Sequence, residues 1–222
     1  MKKKNFRDLY ISLSLLAAFV LWTISVRVID VRAIGPHGSG VGFATINAVF
    51  HKLTGVHMTL YHITDWLGLV PIFVASGFAL IGLIQWIKRK HLNKVDYSIF
   101  VLGGFYIAVI AVYVLFEIVT VNYRPVLIGT NLETSYPSST TLLVMCVMPT
   151  AVMQINSRIK DSTLKRTASF LITAFIIFMV AGRLISGVHW VTDIVGGALV
   201  SAGLVMMYRY FVSLKNDCER NF

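Results

Sequence analysis

Long apolar runs alternate along the chain with short polar, mostly basic connections. Six runs are long enough to read as membrane spans of about 20 residues each. They cover roughly 10–29, 66–87, 97–119, 138–156, 167–184 and 190–212. The longest connection, 31–65, contains Phe43, Ile46, Val49, Phe50 and Leu53 at helical spacing. That spacing predicts a short amphipathic helix lying on the membrane surface, with a plain capping loop as the alternative. The expected fold class is all-α: a six-span transmembrane helical bundle, read as a single membrane-embedded domain over 1–222. No internal repeat or low-complexity stretch interrupts it.

Composition supports that pattern. Hydrophobic residues make up 56% of the 222 residues and charged residues 14%, against about 25% charged in an ordinary soluble domain. Mean hydropathy is +0.74. The first run begins after a basic start, as a signal peptide does. Its apolar stretch is too long for one, however, and Arg27, Asp30 and Arg32 follow without a small-residue cleavage site. It reads as a retained span.

The net charge of +10 changes the picture only through its location. With six spans, the termini share one face. Fifteen of the 20 Lys and Arg fall on that face, and the other five (Arg27, Arg32, Lys52, Arg124, Arg183) on the opposite one. The basic-rich side belongs in the cytoplasm, so both termini are expected there, in a multi-pass protein of a bacterial plasma membrane. The same sorting makes nucleic acid an unlikely partner. The two cysteines, Cys146 in an apolar run and Cys218 in the polar tail, are not expected to form a disulfide.

The chemistry gathers on the outer face. Arg124-Pro125 follows the third span, Tyr136-Pro137-Ser138-Ser139-Thr140 opens the fourth, and Arg183, His189 and Asp193 bridge the fifth and sixth. His189 and Asp193 are four apart, which places them on one helical face. A carboxylate on one ring nitrogen sets the tautomer and raises the basicity of the other, which suits a nucleophile or a base. A turn at Ser186-Gly187 is expected to bring the Arg183 guanidinium over the imidazole, and guanidinium matches phosphate oxygens bidentately. Ser138 or Ser139 can cap the fourth span, whose free N–H groups attract anions. Two arginines, a helix N-terminus and a carboxylate-backed histidine together make a phosphate site with a nucleophile. Taken singly, each piece is an ordinary interfacial residue; their coincidence on the cation-poor face carries the reading.

At these residues the sequence resembles the type 2 phosphatidic acid phosphatase family of membrane lipid phosphatases, whose pattern reads K-x6-R-P, P-S-G-H, S-R-x5-H-x3-D. The resemblance implies that His189 attacks phosphorus to form a phosphohistidine. Asp193 would orient it, and Arg124, Arg183, Ser138 and Ser139 would hold phosphate, with no metal or other cofactor. Gly182 is a mild departure from the family serine. Two departures are larger. Glu117 stands where the family has lysine, and Thr140 where it has the histidine that protonates the leaving group. Both are treated as possible modulators. Such proton donation is worth about 10²–10⁴-fold. Threonine cannot supply it at neutral pH.

Two consequences compete. A diphosphate lipid expels a phosphomonoester, whose second pKa of about 6 makes it leave without a donor, so polyprenyl diphosphate is favoured over phosphatidate. Alternatively, the protein binds a lipid phosphate without turning it over, as an accessory membrane protein. A phosphotransferase to a lipid or glycan acceptor is a third reading, and a transporter the least favoured. Replacement acids are sought among His37, His51, His57 and His62, with His62-x2-Asp65 a minor candidate. Glu117 is expected to pair with Arg124 or Arg183, because seven residues are about two helical turns.

Overall fold

The computed structural model describes residues 2–219, with side chains described from 6 to 215. Lys2, Lys3, Lys4, Cys218 and Arg220, used above for orientation and for cysteine pairing, lie outside the described side chains. The described residues form eight α-helices and no strand: α1 (Lys2–Val28), α2 (Ala44–Thr54), α3 (Met58–Leu67), α4 (Leu69–Arg89), α5 (Tyr97–Ile118), α6 (Ser139–Arg158), α7 (Ser162–Ile185) and α8 (Val191–Glu219). Six helical stretches are long and apolar enough to cross a membrane, with α3 and α4 forming one of them.

Each predicted span has its helix, within a few residues at most ends. The second starts earlier than expected, because α3 precedes it and Gly68 joins the two. The surface helix predicted in the long loop is α2. Ile46, Val49, Phe50 and Leu53 on it remain exposed, as a helix facing lipid requires. Phe43 instead precedes α2 and stacks on Trp22, ring centroids 5.1 Å apart. On the opposite side of α2, Asn47 is fully buried and its amide donates to Gly42 O and Thr192 Oγ1.

The bundle is organised around α6 and α8, the two spans most enclosed by protein; 56% of the best window of each is buried. Small residues let α8 sit this deep. A Cβ at Gly203 would lie 2.8 Å from Leu16 Cδ2, and one at Gly196 would lie 2.6 Å from the Tyr136 ring. Close approach of this kind lets dispersion and polar contacts hold helices together where lipid supplies little hydrophobic drive. Ser12 Oγ donates to Gly203 O, and Ser201 Oγ to Leu142 O. Tyr136 wedges among α1, α5 and α8. It stacks on Phe19, meets Phe116 edge-on and bonds Thr23 through its hydroxyl at 2.7 Å. It thereby fixes the chain just before α6.

The two ends of the bundle are stitched differently. At the end nearer the termini, Asp96 accepts from Gln85, Arg89 and Arg158, and the Arg89 hydrogen bond holds its carboxyl below the ordinary carboxylate range. At the other end the connections 29–57, 119–138 and 186–190 interlock. His57 N donates to Ser186 O, Arg27 to Thr120 O and the Trp190 indole to Tyr123 O.

Candidate active site

The site is assembled from that interlocked end. After α5 the chain folds back on itself. Ser135 N donates to Asn122 O and Arg124 N to Glu133 O, so Arg124 and Ser135 arrive side by side. Ser138 caps α6, accepting from Thr141 N and Thr141 Oγ1, as the Pro-Ser pattern predicts. Gly187 makes the turn between α7 and α8 at φ +69°. Only glycine fits there, since a Cβ would lie 1.9 Å from Gly55 O.

His189 stands at the centre, 3% exposed. Arg124 Nη1 lies 3.1 Å from its Nε2. A guanidinium can only donate, so Nε2 is the bare lone pair and Nδ1 carries the proton. Nδ1 lies 3.2 Å from Ser135 O and 3.7 Å from Asp193 Oδ2. Burial lowers the imidazole from 6.5 to about 4; the Asp193 carboxylate opposes the shift, while Arg124 and Arg183 add to it. The ring is therefore neutral at physiological pH, with its unprotonated nitrogen turned toward a cation. Asp193 is wholly buried and held by the Asn122 amide at 3.2 Å and the Trp190 N–H at 2.9 Å.

The structure brings His189, Asp193, Arg124, Arg183 and Thr140 into one neighbourhood, with two corrections to the pairings expected from the sequence. Arg124, not Arg183, lies against the imidazole. Arg183 is 2% exposed and tied down elsewhere: Nε donates to Thr140 Oγ1 at 2.9 Å, Nη1 to Thr64 Oγ1 at 3.5 Å and Nη2 to Asp65 Oδ1 at 3.1 Å, with the Tyr61 ring 4.9 Å from its carbon. Glu117 pairs with neither arginine. α5 ends at Ile118, so the two turns of helix needed to align Glu117 with Arg124 do not exist, and Glu117 accepts from Thr134 Oγ1 instead. Arg124 has Glu133 beside it, Nε to Oε2 3.0 Å.

Sequence reasoning missed Glu133 and the part played by α3. Of the candidate acids on the long loop, Asp65 reaches the site through Arg183, while His37, His57 and His62 are exposed and His51 packs on Trp190. Gly182 shows why α3 can come so close: a Cβ there would lie 2.7 Å from Thr64 Cγ2. Glycine at 182 thus lets Thr64 and Asp65 come close enough to hold Arg183. Ser138 is fully buried and engaged in its cap, while Ser139 lines the cleft.

A neutral histidine with its lone pair on an arginine, a buried aspartate behind it and a second arginine nearby lie in or beside a segment that resembles one sequence family. Residues 115–217 match the PAP2 superfamily. This segment contains α6, α7, most of α8 and the His189 partners Arg124, Ser135 and Asp193, whereas Tyr61, Thr64 and Asp65 precede it. The crystal structure of the first transmembrane PAP2 type phosphatidylglycerolphosphate phosphatase from Bacillus subtilis matches with a TM-score of 0.62. That match covers 92% of this chain and 96% of that one at 17% identity, and it shows the shared fold. No curated protein matches the sequence. Over 115–217 the chain is thus similar to the PAP2 superfamily, and its whole fold is similar to that of the Bacillus subtilis protein.

Two cavities meet at the site. The cleft at His189 is small, about 20 Å³, and is lined by Glu117, Arg124, Thr134, Ser135 and Ser139 among others. That is room for about one water. Beside it an apolar groove of about 630 Å³ runs between α4, α5 and α6, and the two share Tyr113, Ser139 and Leu142.

Proposed function

We propose that this chain is a single-domain integral membrane hydrolase that removes a phosphoryl group from a lipid phosphate or diphosphate through a phosphohistidine at His189. The observation that carries the reading is the His189 tautomer: a neutral ring, its proton held at Nδ1 by Ser135 O and Asp193, and its Nε2 lone pair facing Arg124.

In the proposed reaction a substrate phosphoryl group takes the place beside Arg124 now bordered by Glu133. Nε2 attacks phosphorus, and Asp193 balances the positive charge that develops on the ring. Arg124 and Arg183 hold the charge on the phosphoryl oxygens, helped by Ser139 at the mouth of α6; Ser138 contributes by shaping the helix start. Water then cleaves the N–P bond and restores His189. The excess of basic residues on the side of the termini supports a site on the extracytoplasmic face of a bacterial plasma membrane. The apolar groove beside the cleft suits the lipid tail.

The leaving group favours a diphosphate. The Thr140 hydroxyl accepts from Arg183 Nε and has no acidity to offer at neutral pH. A polyprenyl diphosphate releases a phosphomonoester with a second pKa of about 6 and is favoured over phosphatidate, which must expel an alkoxide. The test is phosphate release by detergent-purified protein from both lipids, with EDTA present and His189→Ala as control. Release that His189→Ala abolishes supports the reading, and a faster rate on phosphatidate refutes the preference. Absence of release, with lipid phosphate still bound, supports the accessory binding protein instead. Label appearing in an added lipid or glycan acceptor supports transfer.

A further inference from the structure

We infer that the bundle holds a second tail subsite, a recess between α4 and α5 at the end nearer the termini, which takes the far part of a substrate tail longer than one leaflet. It rests on the phosphatase reading above and narrows the substrate to a long-chain polyprenyl diphosphate. The groove beside the His189 cleft does not end in the middle of the bundle. At Ala79 of α4 and Tyr106 of α5 it adjoins a further recess of about 450 Å³, which both residues also line. That recess is almost wholly apolar and runs on to Trp86, Leu92 and Ile99.

Cleft, groove and recess thus form one path along α5. Fourteen residues separate Tyr113, where the groove leaves the cleft, from Ile99 at the far end, about 21 Å at 1.5 Å per residue. The hydrocarbon core of a bilayer is about 30 Å thick, so one leaflet supplies about 15 Å. An acyl tail of phosphatidate, matched to one leaflet, runs out before the far end. A polyprenyl tail long enough to enter both leaflets reaches it.

The recess is kept open by glycines that pack against nothing. Gly196 and Gly203 of α8 are small because a Cβ there would strike a neighbour. Gly103 and Gly104 of α5 line the recess, and a Cβ at either would meet nothing within 4 Å. Glycine weakens a helix interior by about 1 kcal/mol relative to alanine, and small residues in membrane helices ordinarily repay that by drawing a partner close. Here no partner comes close, and what the two positions supply is room. Ala79 and Gly82 keep the α4 wall low as well. Meanwhile α4 is tied at both ends: Gly68 joins it to α3, which holds Arg183, and Gln85 and Arg89 bond Asp96 at the head of α5. Bilayer acyl chains are the competing occupant, and they would fill the recess without regard to the substrate.

The experiment measures phosphate release by the detergent-purified full chain, in the same mixed micelles, from geranyl diphosphate and from a long-chain polyprenyl diphosphate. The geranyl tail is too short to enter the recess. Gly103→Leu fills it from a position with no neighbour to strike, and leucine favours the helix. In that variant KM for the long lipid should rise at least about fivefold, while KM for geranyl diphosphate and both kcat values stay within about twofold of the parent. Gly77→Leu, at an equally open helical position that lines neither groove nor recess, should change neither lipid. An equal rise on both lipids, no rise, or the same rise in Gly77→Leu overturns the subsite in favour of ordinary bilayer lipid. If the parent releases phosphate from neither lipid, or His189→Ala is as active as the parent, the phosphatase reading itself fails. The subsite is then judged on binding: the long lipid should raise the Tm of the parent more than that of Gly103→Leu, and equal shifts overturn it.

Discussion

Replacing Asp193 by asparagine separates two roles that a carboxylate behind a histidine usually combines. In this site the tautomer has its own guardian, because Nδ1 lies 3.2 Å from Ser135 O and farther, 3.7 Å, from Asp193 Oδ2. The Nδ1 proton should therefore stay in place in Asp193→Asn, and on the proposed reading Nε2 remains the nucleophile. What is lost is the negative charge that balances the phosphorylated ring. A hydrogen bond to a charged group contributes about 1.5–3 kcal/mol, and about 1.36 kcal/mol corresponds to a factor of ten. The expected loss in kcat is thus about 10–150-fold, with KM little changed. A structural cost accompanies it. Asp193 accepts from both Asn122 Nδ2 and Trp190 N; asparagine has a single acceptor oxygen, so one buried donor faces an NH₂ group, at about 1–3 kcal/mol of stability. The assay is steady-state phosphate release with kcat and KM resolved, Tm measured in parallel, and an alkaline detergent quench, which preserves the acid-labile N–P bond, to trap the phosphohistidine. The intermediate should still form, more slowly. A loss as complete as in His189→Ala would show that Asp193, not Ser135, holds the tautomer. An unchanged kcat would show that the carboxylate only ties the loops together.

Three further outcomes follow from the same geometry. Asp65→Asn frees one edge of the Arg183 guanidinium; Asp65 is 54% exposed, so the pair is worth about 1 kcal/mol or less, and inhibition by inorganic phosphate should tighten about fivefold, a weaker inhibition refuting the exchange. His189 loses its lone pair on protonation, so kcat/KM should fall as pH drops through about 4 and stay flat toward neutrality. Because the folded-state value lies below the unfolded 6.5, the stability from keeping the ring neutral is complete above pH 6.5 and is lost as pH falls toward 4; an activity limb near pH 6.5 would refute the burial. Gly187→Ala puts a side chain at φ +69° and against Gly55 O, which should cost more than about 2 kcal/mol and lower both Tm and activity, and an unchanged Tm would refute the tight turn.

The spans were legible because lipid imposes a simple rule: a crossing helix needs about 20 predominantly apolar residues, and the runs obey it. α2 was legible because its apolar period survives in a polar stretch. α3 was not, since Tyr61, His62, Thr64 and Asp65 break the apolar run; Tyr61, Thr64 and Asp65 form the face of α3 that meets Arg183. At the site, His189 and Asp193 could be read from local spacing. The partners of the arginines could not. Glu133 reaches Arg124 through a fold-back of the loop, and Asp65 lies 118 residues from Arg183 in sequence. The expected Glu117–Arg124 pair failed for the complementary reason: it assumed a helix that α5 does not continue.

The two arginines divide the work as their surroundings dictate. Arg183 is buried and saturated by Thr140, Thr64 and Asp65, so it supplies a fixed positive field. Arg124 bridges the imidazole and the half-exposed Glu133, so it can turn to an incoming oxyanion. Each arginine already has a carboxylate beside it, and that bears on a protein immersed in phospholipid. The abundant phosphodiester head groups carry one negative charge on phosphorus, no more than the carboxylate they would displace. A terminal phosphate carries up to two negative charges and three free oxygens, enough on the proposed reading to displace Glu133 from Arg124 while the fixed charge of Arg183 adds to the attraction. On the proposed reading the paired carboxylates therefore act as a threshold, keeping ordinary bilayer lipid from the nucleophile while admitting lipids that end in phosphate.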